Sequence, residues 1–222
     1  MAGTALNLIE RTLDIPHVGT KVFKWPEGDE CLWKWAHQAS HIDAVLPFLN
    51  GRGVCVQAGG GCGVWPAVLA GMFETVYTFE PFIPNFKALS INCAEYQNVL
   101  AFNACLGDSH GCVDIGWASE KYAINYGAQY AVGQGVVPVF RLDDLALKEC
   151  DFICLDIEGA ELEAVRGAEQ TIKECRPVIM IEEAGHAKHF GNTERAARDL
   201  VVSYGYKVIS KTRDDVLLVP NG

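Results

Sequence analysis

Short apolar runs alternate with amphipathic stretches along most of the chain. Val54-Cys-Val-Gln-Ala58 is β-branched, uncharged and bounded by glycine, the pattern of a buried strand. Residues 64–72 then place Trp65, Val68, Leu69 and Met72 on one helical face. Residues 75–79 predict a second strand. A helix over 84–96 follows, with Phe86, Leu89, Ile91 and Cys93 only approximately on one face, and then a third strand over 99–106. Residues 151–155 read as a fourth strand, 160–175 as a helix with Leu162, Val165 and Ile172 inward, and 177–181 as a fifth strand. A helix over 193–204, capped by Asn192 or Thr193, stops at Gly205, where a C-terminal glycine belongs.

This alternation predicts an α/β fold with a mostly parallel sheet covered by helices on both faces. The tail breaks the pattern. Residues 206–210 and 216–219 are two strands joined by a polar turn at Arg213-Asp214-Asp215, so the last strand should run antiparallel to its neighbour. Between the third and fourth strands, 111–140 predicts an inserted hairpin of 113–117 and 136–140 flanking a loop at 122–130. Residues 1–50, with Trp25, Trp33 and Trp35, are expected to form a helical preface packed on a core of 51–222, the whole being one domain over 1–222.

Composition narrows the classes. The 222 residues are half hydrophobic, enough to bury a core without covalent staples. The net charge of −10 and the absence of a Lys/Arg run argue against a nucleic-acid partner. The nine cysteines form no CxxC pair, and several lie in apolar runs, which fits buried thiols in a reducing, cytoplasmic setting rather than a zinc site. Residues 54–73 are uncharged over twenty positions but contain five glycines and Pro66, so strand, turn and helix explain them better than a membrane span. The first residues, with Glu10, Arg11 and Asp14, do not read as a signal peptide.

Candidate chemistry gathers at the strand ends, where open α/β sheets bind ligands. The turn Gln57-Ala-Gly59-Gly-Gly61-Cys-Gly63 would let backbone N–H groups approach a ligand at a helix start. It fails the dinucleotide pattern, because position 64 is Val, and it lacks the Lys of a phosphate loop. Glu80 ends the second strand, placed to accept hydrogen bonds from a ribose diol. Asp156 and Glu158 end the fourth strand on one side of an extended chain, and Glu182 and Glu183 end the fifth. Such an acidic rim can bind a cation, orient a hydroxyl or take a divalent metal; no metal is assigned, because the spacing fixes no third ligand. His186, which titrates near neutrality, is a candidate general base.

Several of these segments together resemble the FkbM-type methyltransferase family: 54–63, Phe79-Glu80-Pro81 with Asn85-Phe86 and Leu89, Leu142-Asp-Asp-Leu145, and Arg176-Pro177 leading to Glu182. The most specific is Asp151-Phe-Ile-Cys-Leu-Asp156-Ile-Glu-Gly-Ala-Glu161 with Arg166-Gly-Ala168; the likeness runs from Val54 to Tyr206. It implies a class I (Rossmann-like) fold with a seven-stranded sheet and antiparallel last strand, S-adenosyl-L-methionine as cofactor, and O-methylation of a hydroxyl on a sugar or small molecule. The expected cofactor residues are then Gln57, Gly59, Gly61, Gly63, Glu80, Pro81 and Asp156, with Asp108 at the adenine edge. The expected catalytic residues are Asp156, Glu158, Glu182 and His186, with the 122–130 loop (Asn125, Tyr126, Gly127) over a small-molecule or glycan acceptor. Two positions depart from the family: Gln57 stands where an acid is usual, and Cys154 where Lys is frequent. An NAD-dependent oxidoreductase on a doubly wound sheet and a non-catalytic cofactor-binding module are the competing readings.

Overall fold

Residues 8–26 are the first to depart from the expected pattern. In the computed structural model, which describes residues 7–29, 34, 37–117 and 127–222, β1 (Leu8–Ile15) and β2 (Gly19–Pro26) pair antiparallel from Leu8↔Pro26 to Ile15↔Gly19. The helical preface is thus corrected to a hairpin in this part. Leu13, Ile15, Phe23 and Trp25 alternate inward with polar neighbours between them, a period of two. His17 and Gly19 supply the positive φ of the turn. Helix in the described preface comprises Lys34, His37 and Gln38, α1 (Ile42–Val45) and the short turns around it. Trp33 and Trp35 lie outside the described residues.

The main sheet has seven strands: β3 (Val54–Ala58), β4 (Thr75–Phe79), β5 (Val99–Phe102), β9 (Phe152–Leu155), β10 (Val178–Glu182), β11 (Tyr206–Lys211) and β12 (Asp215–Pro220). Their order is β11-β12-β10-β9-β3-β4-β5. All neighbours are parallel except β12, which runs antiparallel to both β10 and β11. Helices α2 (Val64–Ala70), α3 (Ile83–Asn92), α4 (Glu161–Gly167), α5 (Glu169–Cys175) and α6 (Ala196–Ser203) complete the layers. The strands are apolar throughout because both faces are covered. Cys55, Phe152, Cys154, Met180 and Leu217 pack with α1, α2 and the N-terminal hairpin. Val56, Ile153, Leu155, Ile179, Ile181 and Leu218 pack with α4, α5 and α6.

Three boundaries differ for identifiable reasons. The third strand leaves the sheet after Phe102, where the Asn103 amide donates to the carbonyls of Glu80 and Pro81 at 2.8 and 3.0 Å. The chain resumes as β6 (Cys105–Leu106), parallel to β8 (Gln129–Phe140), which pairs with β7 (Gly111–Trp117) as the inserted hairpin. The helix expected over 160–175 divides at Ala168, because Gly167 lies against the Gly107 carbonyl and Asp143 caps a fresh turn through the N–H groups of Gln170 and Thr171. The last helix starts after Arg195 with no side-chain cap, so neither Asn192 nor Thr193 plays that part. Residues 54–73 are strand, turn and helix, and no described helix is long and apolar enough to cross a membrane. The described cysteines are all free thiols.

Candidate functional site

A cavity of about 760 Å³ opens at the carboxyl ends of β3, β4, β9 and β10. Its walls carry Gly59, Glu80, Pro81 and Asn85, then Ala104, Cys105 and Leu106, and also Asp156, Glu158, Glu182 and His186. Gly127 to Ala131 of the insertion also line it, whereas residues 118–126, including Tyr122, Asn125 and Tyr126 of the expected acceptor loop, lie outside the described residues.

The glycine turn reaches this cavity differently from what its sequence predicts. The N–H groups of Gly59 and Gly60 both donate to the Phe79 carbonyl, at 3.0 and 2.9 Å, and that of Gly63 to the Gly60 carbonyl. The Gly61 N–H donates to Glu80 Oε2 at 2.7 Å. Every one of these donors is already taken by the turn itself or by the end of β4, so it is not an anion cradle, and only Gly59 of the three expected glycines lines the cavity. The glycines serve close packing instead. A Cβ on Gly59, at φ +88, would collide with the Asp156 carbonyl, and one on Gly63 would stand 3.0 Å from Cys93 Sγ.

Gln57 is likewise corrected. It is fully buried, does not line the cavity, and its Nε2 donates to the carbonyls of Ala58 and Gly59 at 3.2 and 2.8 Å. Its Oε1 accepts from Thr78 Oγ1 at 2.6 Å. Asp108 also misses the cavity; it is half exposed and 3.9 Å from Arg166. Glu183 turns off the rim to pair with Lys211 and Arg198, since alternate residues of an extended chain point to opposite sides.

Glu80 is buried and held on both oxygens, by Gly61 N–H and by Phe82 N–H at 2.8 Å, with Asn85 bonded to it as well. Burial pushes its carboxyl up to about 8, against the pull of those donors. In its ionised form, with three bonds on roughly four lone-pair sites, it keeps acceptor capacity for a ligand hydroxyl.

The structure brings together Asp156, Glu158 and Glu182, each offering an oxygen within 4.8 Å of the others. Glu182, which the sequence places among the rim acids, is thus the third member of one cluster. Burial raises all three; repulsion from Asp215 adds to it at Asp156, and repulsion from Asp156 adds to it at Glu158 and Glu182. The hydrogen bond between Asp156 and Glu182 favours charge on Asp156 and the neutral acid on Glu182, and Asp156 sits at about 6. Glu158 has φ +56 in a loop pinned by Glu161 Oε1, which accepts the N–H groups of Ile157 and Gly159, both at 3.1 Å. The final acid of the Asp-x-Glu-Gly-Ala-Glu motif is therefore a brace, raised to about 7 by burial. A second brace, Glu194, accepts from Gly185 and Ala187 N–H and fixes the loop of His186. His186 Nε2 lies 3.2 Å from Glu158 Oε2, close enough for an ion pair but not aligned as a hydrogen bond. Burial lowers its pKa.

Other lining groups escaped the sequence reading. Lys34, His37, Gln38 and His41 come from the N-terminal segment, and Thr212, Arg213, Asp214 and Asp215 from the terminal turn. The turn arrives because β12 is antiparallel: its first residue, Asp215, pairs with Glu182 at the rim where β10 ends. Tyr130 of β8 stacks on His189 with centroids 4.5 Å apart, tying the insertion to the segment after β10.

The sequence model of the Methyltransferase FkbM domain matches residues 66–208. Solved structures of similar fold include a methyltransferase FkbM from Methylobacillus flagellatus KT, at 22% identity and TM-score 0.54 over 75% of this chain and 42% of that one. Another is the 16S rRNA N2 G1207 methyltransferase of T. thermophilus in complex with AdoMet and guanosine, at 13% identity and TM-score 0.53 over 99% of this chain and 52% of that one. A third is Trm5b from Pyrococcus abyssi, at 14% and 0.50 over 98% and 56%. This chain therefore spans less than two thirds of each of them. No curated protein sequence matches. The expectation that excluded nucleic acid is overturned: an rRNA methyltransferase shares this fold, so an acidic net charge does not decide the acceptor. The antiparallel β12 also removes the doubly wound oxidoreductase reading. With the model covering well over half of its residues and the predicted sheet order in place, the chain belongs to the FkbM methyltransferase family.

Proposed function

We propose that the chain is an S-adenosyl-L-methionine-dependent O-methyltransferase acting on a hydroxyl of a sugar or other small molecule. The observation that carries this reading is Glu80, fixed by the Gly61 and Phe82 N–H groups at the rim of a cavity that also bears three half-buried carboxyls. The lining fits the cofactor. Glu80 has acceptor capacity for a ribose hydroxyl, Ala104, Cys105 and Leu106 offer an apolar wall for a flat base, and the acids suit a cationic sulfonium and ammonium. Bound there, the cofactor would supply an electrophilic methyl group. The protein's part is then to hold a hydroxyl oxygen in line and to receive its proton. Asp156, kept charged by the proton of Glu182, is suited to orient that hydroxyl.

Calorimetric titration with S-adenosylhomocysteine tests the cofactor half. Wild type is expected to bind, and Glu80→Ala to bind about tenfold more weakly or worse, the size of one charge-assisted hydrogen bond. Failure of wild type to bind at millimolar ligand would sink the reading, and equal binding by both would remove the ribose role. Transfer of labelled methyl to a panel of free sugars, methyl glycosides, small alcohols and a short RNA tests the acceptor half. Binding without transfer to any member is the outcome expected of a non-catalytic module.

A further inference from the structure

We propose that His41, held by Asp215, is the catalytic base that takes the acceptor's proton, a role that rests on the O-methyltransferase reading above. The two residues stand 174 positions apart, and both line the cavity. His41 Nδ1 and Asp215 Oδ2 are 2.7 Å apart, with the side chains 27% and 15% exposed. A carboxylate on Nδ1 selects the tautomer that carries its proton there and leaves the lone pair on Nε2. Asp215 is itself fixed: its N–H donates to Thr212 Oγ1 at 2.9 Å, and its backbone pairs with Glu182. The His37 ring meets that of His41 edge-on at 5.8 Å.

The alternative base compares poorly. His186 is oriented less firmly: its Nε2 lies 3.2 Å from Glu158 Oε2, but the two are not aligned as a hydrogen bond. Burial and the neighbouring His189 disfavour its charged form, so it holds a proton weakly. His41 is surrounded differently. Asp214 and Asp215 on the terminal turn and Asp156 at the end of β9 all favour its cation, and only burial opposes them. Arg213 of the same turn and Lys34 and His37 of its own segment complete the charged and titratable groups that line the cavity with it there. The dyad is thus built to accept a proton and to stabilise the resulting imidazolium.

The step balances without further reactants. The acceptor O–H bond breaks and its proton goes to Nε2. The oxygen keeps that electron pair and gives it to the carbon of the sulfonium methyl donor. The old carbon–sulfur pair stays on sulfur, leaving a thioether, and the imidazolium later returns its proton to water. Asp215 is the positioning residue.

Proton NMR titration of the histidine ring signals tests the dyad without turnover, with His41→Gln identifying the His41 resonance. In wild type His41 should titrate above the ordinary histidine range, and in Asp215→Asn it should fall by at least half a unit. A His41 pKa that does not move overturns the proposal. Turnover is then followed against pH with whichever panel member wild type methylates. The rate should rise with pH through the His41 pKa, and this acid limb should shift downward in Asp215→Asn by the same amount as the NMR value. His41→Gln should lose about 100-fold or more in kcat while binding S-adenosylhomocysteine within about threefold of wild type. Retention of more than a third of kcat, or a limb that stays put while the NMR pKa moves, overturns the proposal. Should His41→Gln fail to fold, wild type and Asp215→Asn decide by the limb alone, the resonance being assigned by elimination through single Gln variants of His17, His37, His110, His186 and His189. If wild type binds no S-adenosylhomocysteine, the O-methyltransferase reading falls, and this one with it. If wild type binds and methylates but the His41 criteria fail, only the dyad falls.

Discussion

Gln57 shows how a residue chosen for one role can be held by another. The family usually places an acid there, and a neutral amide reads in sequence as a weakened cofactor contact. In the fold the amide is consumed by the turn: its nitrogen feeds the carbonyls of Ala58 and Gly59 while its oxygen takes the Thr78 hydroxyl proton. A carboxylate has no hydrogen to give those two carbonyls and would be buried against them without compensation. Gln57→Glu, which restores the family residue, is therefore expected to destabilise this chain by about 2 kcal/mol or more. Urea unfolding monitored by tryptophan fluorescence measures it; a change under about 0.5 kcal/mol, the scale of a neutral surface substitution, would contradict the assignment. Glu161 carries the same lesson with the opposite sign. Its place in the motif makes it look like chemistry, and its hydrogen bonds make it a brace for the loop that presents Glu158.

At the level of elements, the apolar runs were the most legible feature. Strands buried on both faces need no alternation, so 54–58, 151–155 and 177–181 stand out in any reading. The terminal hairpin was legible too, from two apolar runs around a polar turn. What could not be read was its consequence, since only the strand order puts Asp215 beside Glu182. The N-terminal hairpin was missed because Trp25 was grouped with Trp33 and Trp35 rather than with Leu13, Ile15 and Phe23 at period two. His41 sits among single turns with no periodicity to mark it. The terminal hairpin is anchored at its base by Arg176, which has φ +56 and donates to the carbonyls of Tyr204 and Gly205 at 2.7 and 2.8 Å while lying over the Tyr206 ring at 4.7 Å. The Tyr206 hydroxyl in turn donates to the Ile172 carbonyl at 3.2 Å. Arg176→Ala removes both arms of the fork and the ring contact, and should cost about 2–4 kcal/mol. Arg176→Lys, which cannot span two carbonyls, should recover less than half of that in the same urea assay. Full recovery by Lys would mean that charge alone, and not the fork, holds the hairpin.

Across the whole molecule the acidic balance of the sequence is concentrated where it costs most. Glu80, Asp156, Glu158 and Glu182 share one cavity and Glu161 lies just behind it, all with pKa values raised chiefly by burial. A raised folded pKa means that the folded state binds the proton more tightly than the unfolded chain. The stability this contributes is complete below the unfolded values, 3.8 for Asp and 4.5 for Glu, and is lost as pH climbs through about 6 at Asp156, about 7 at Glu161 and about 8 at Glu80. His41, also raised, has the same sign; His186, lowered, has the opposite one. The ligand-free protein should therefore melt at a lower temperature at pH 8.5 than at pH 5.5, measured at constant ionic strength. A chain of this size shifts by about 2–4 °C for each kcal/mol. Glu80→Gln isolates the largest step that carries a value. It should melt lower than wild type at pH 5.5, where one backbone N–H loses its acceptor, yet fall less on going to pH 8.5, narrowing the gap by at least about 2 °C. A variant that declines in parallel with wild type would show that Glu80 ionises at an ordinary carboxyl pH. Its charge would then already be compensated by Gly61, Phe82 and Asn85 before any ligand arrives.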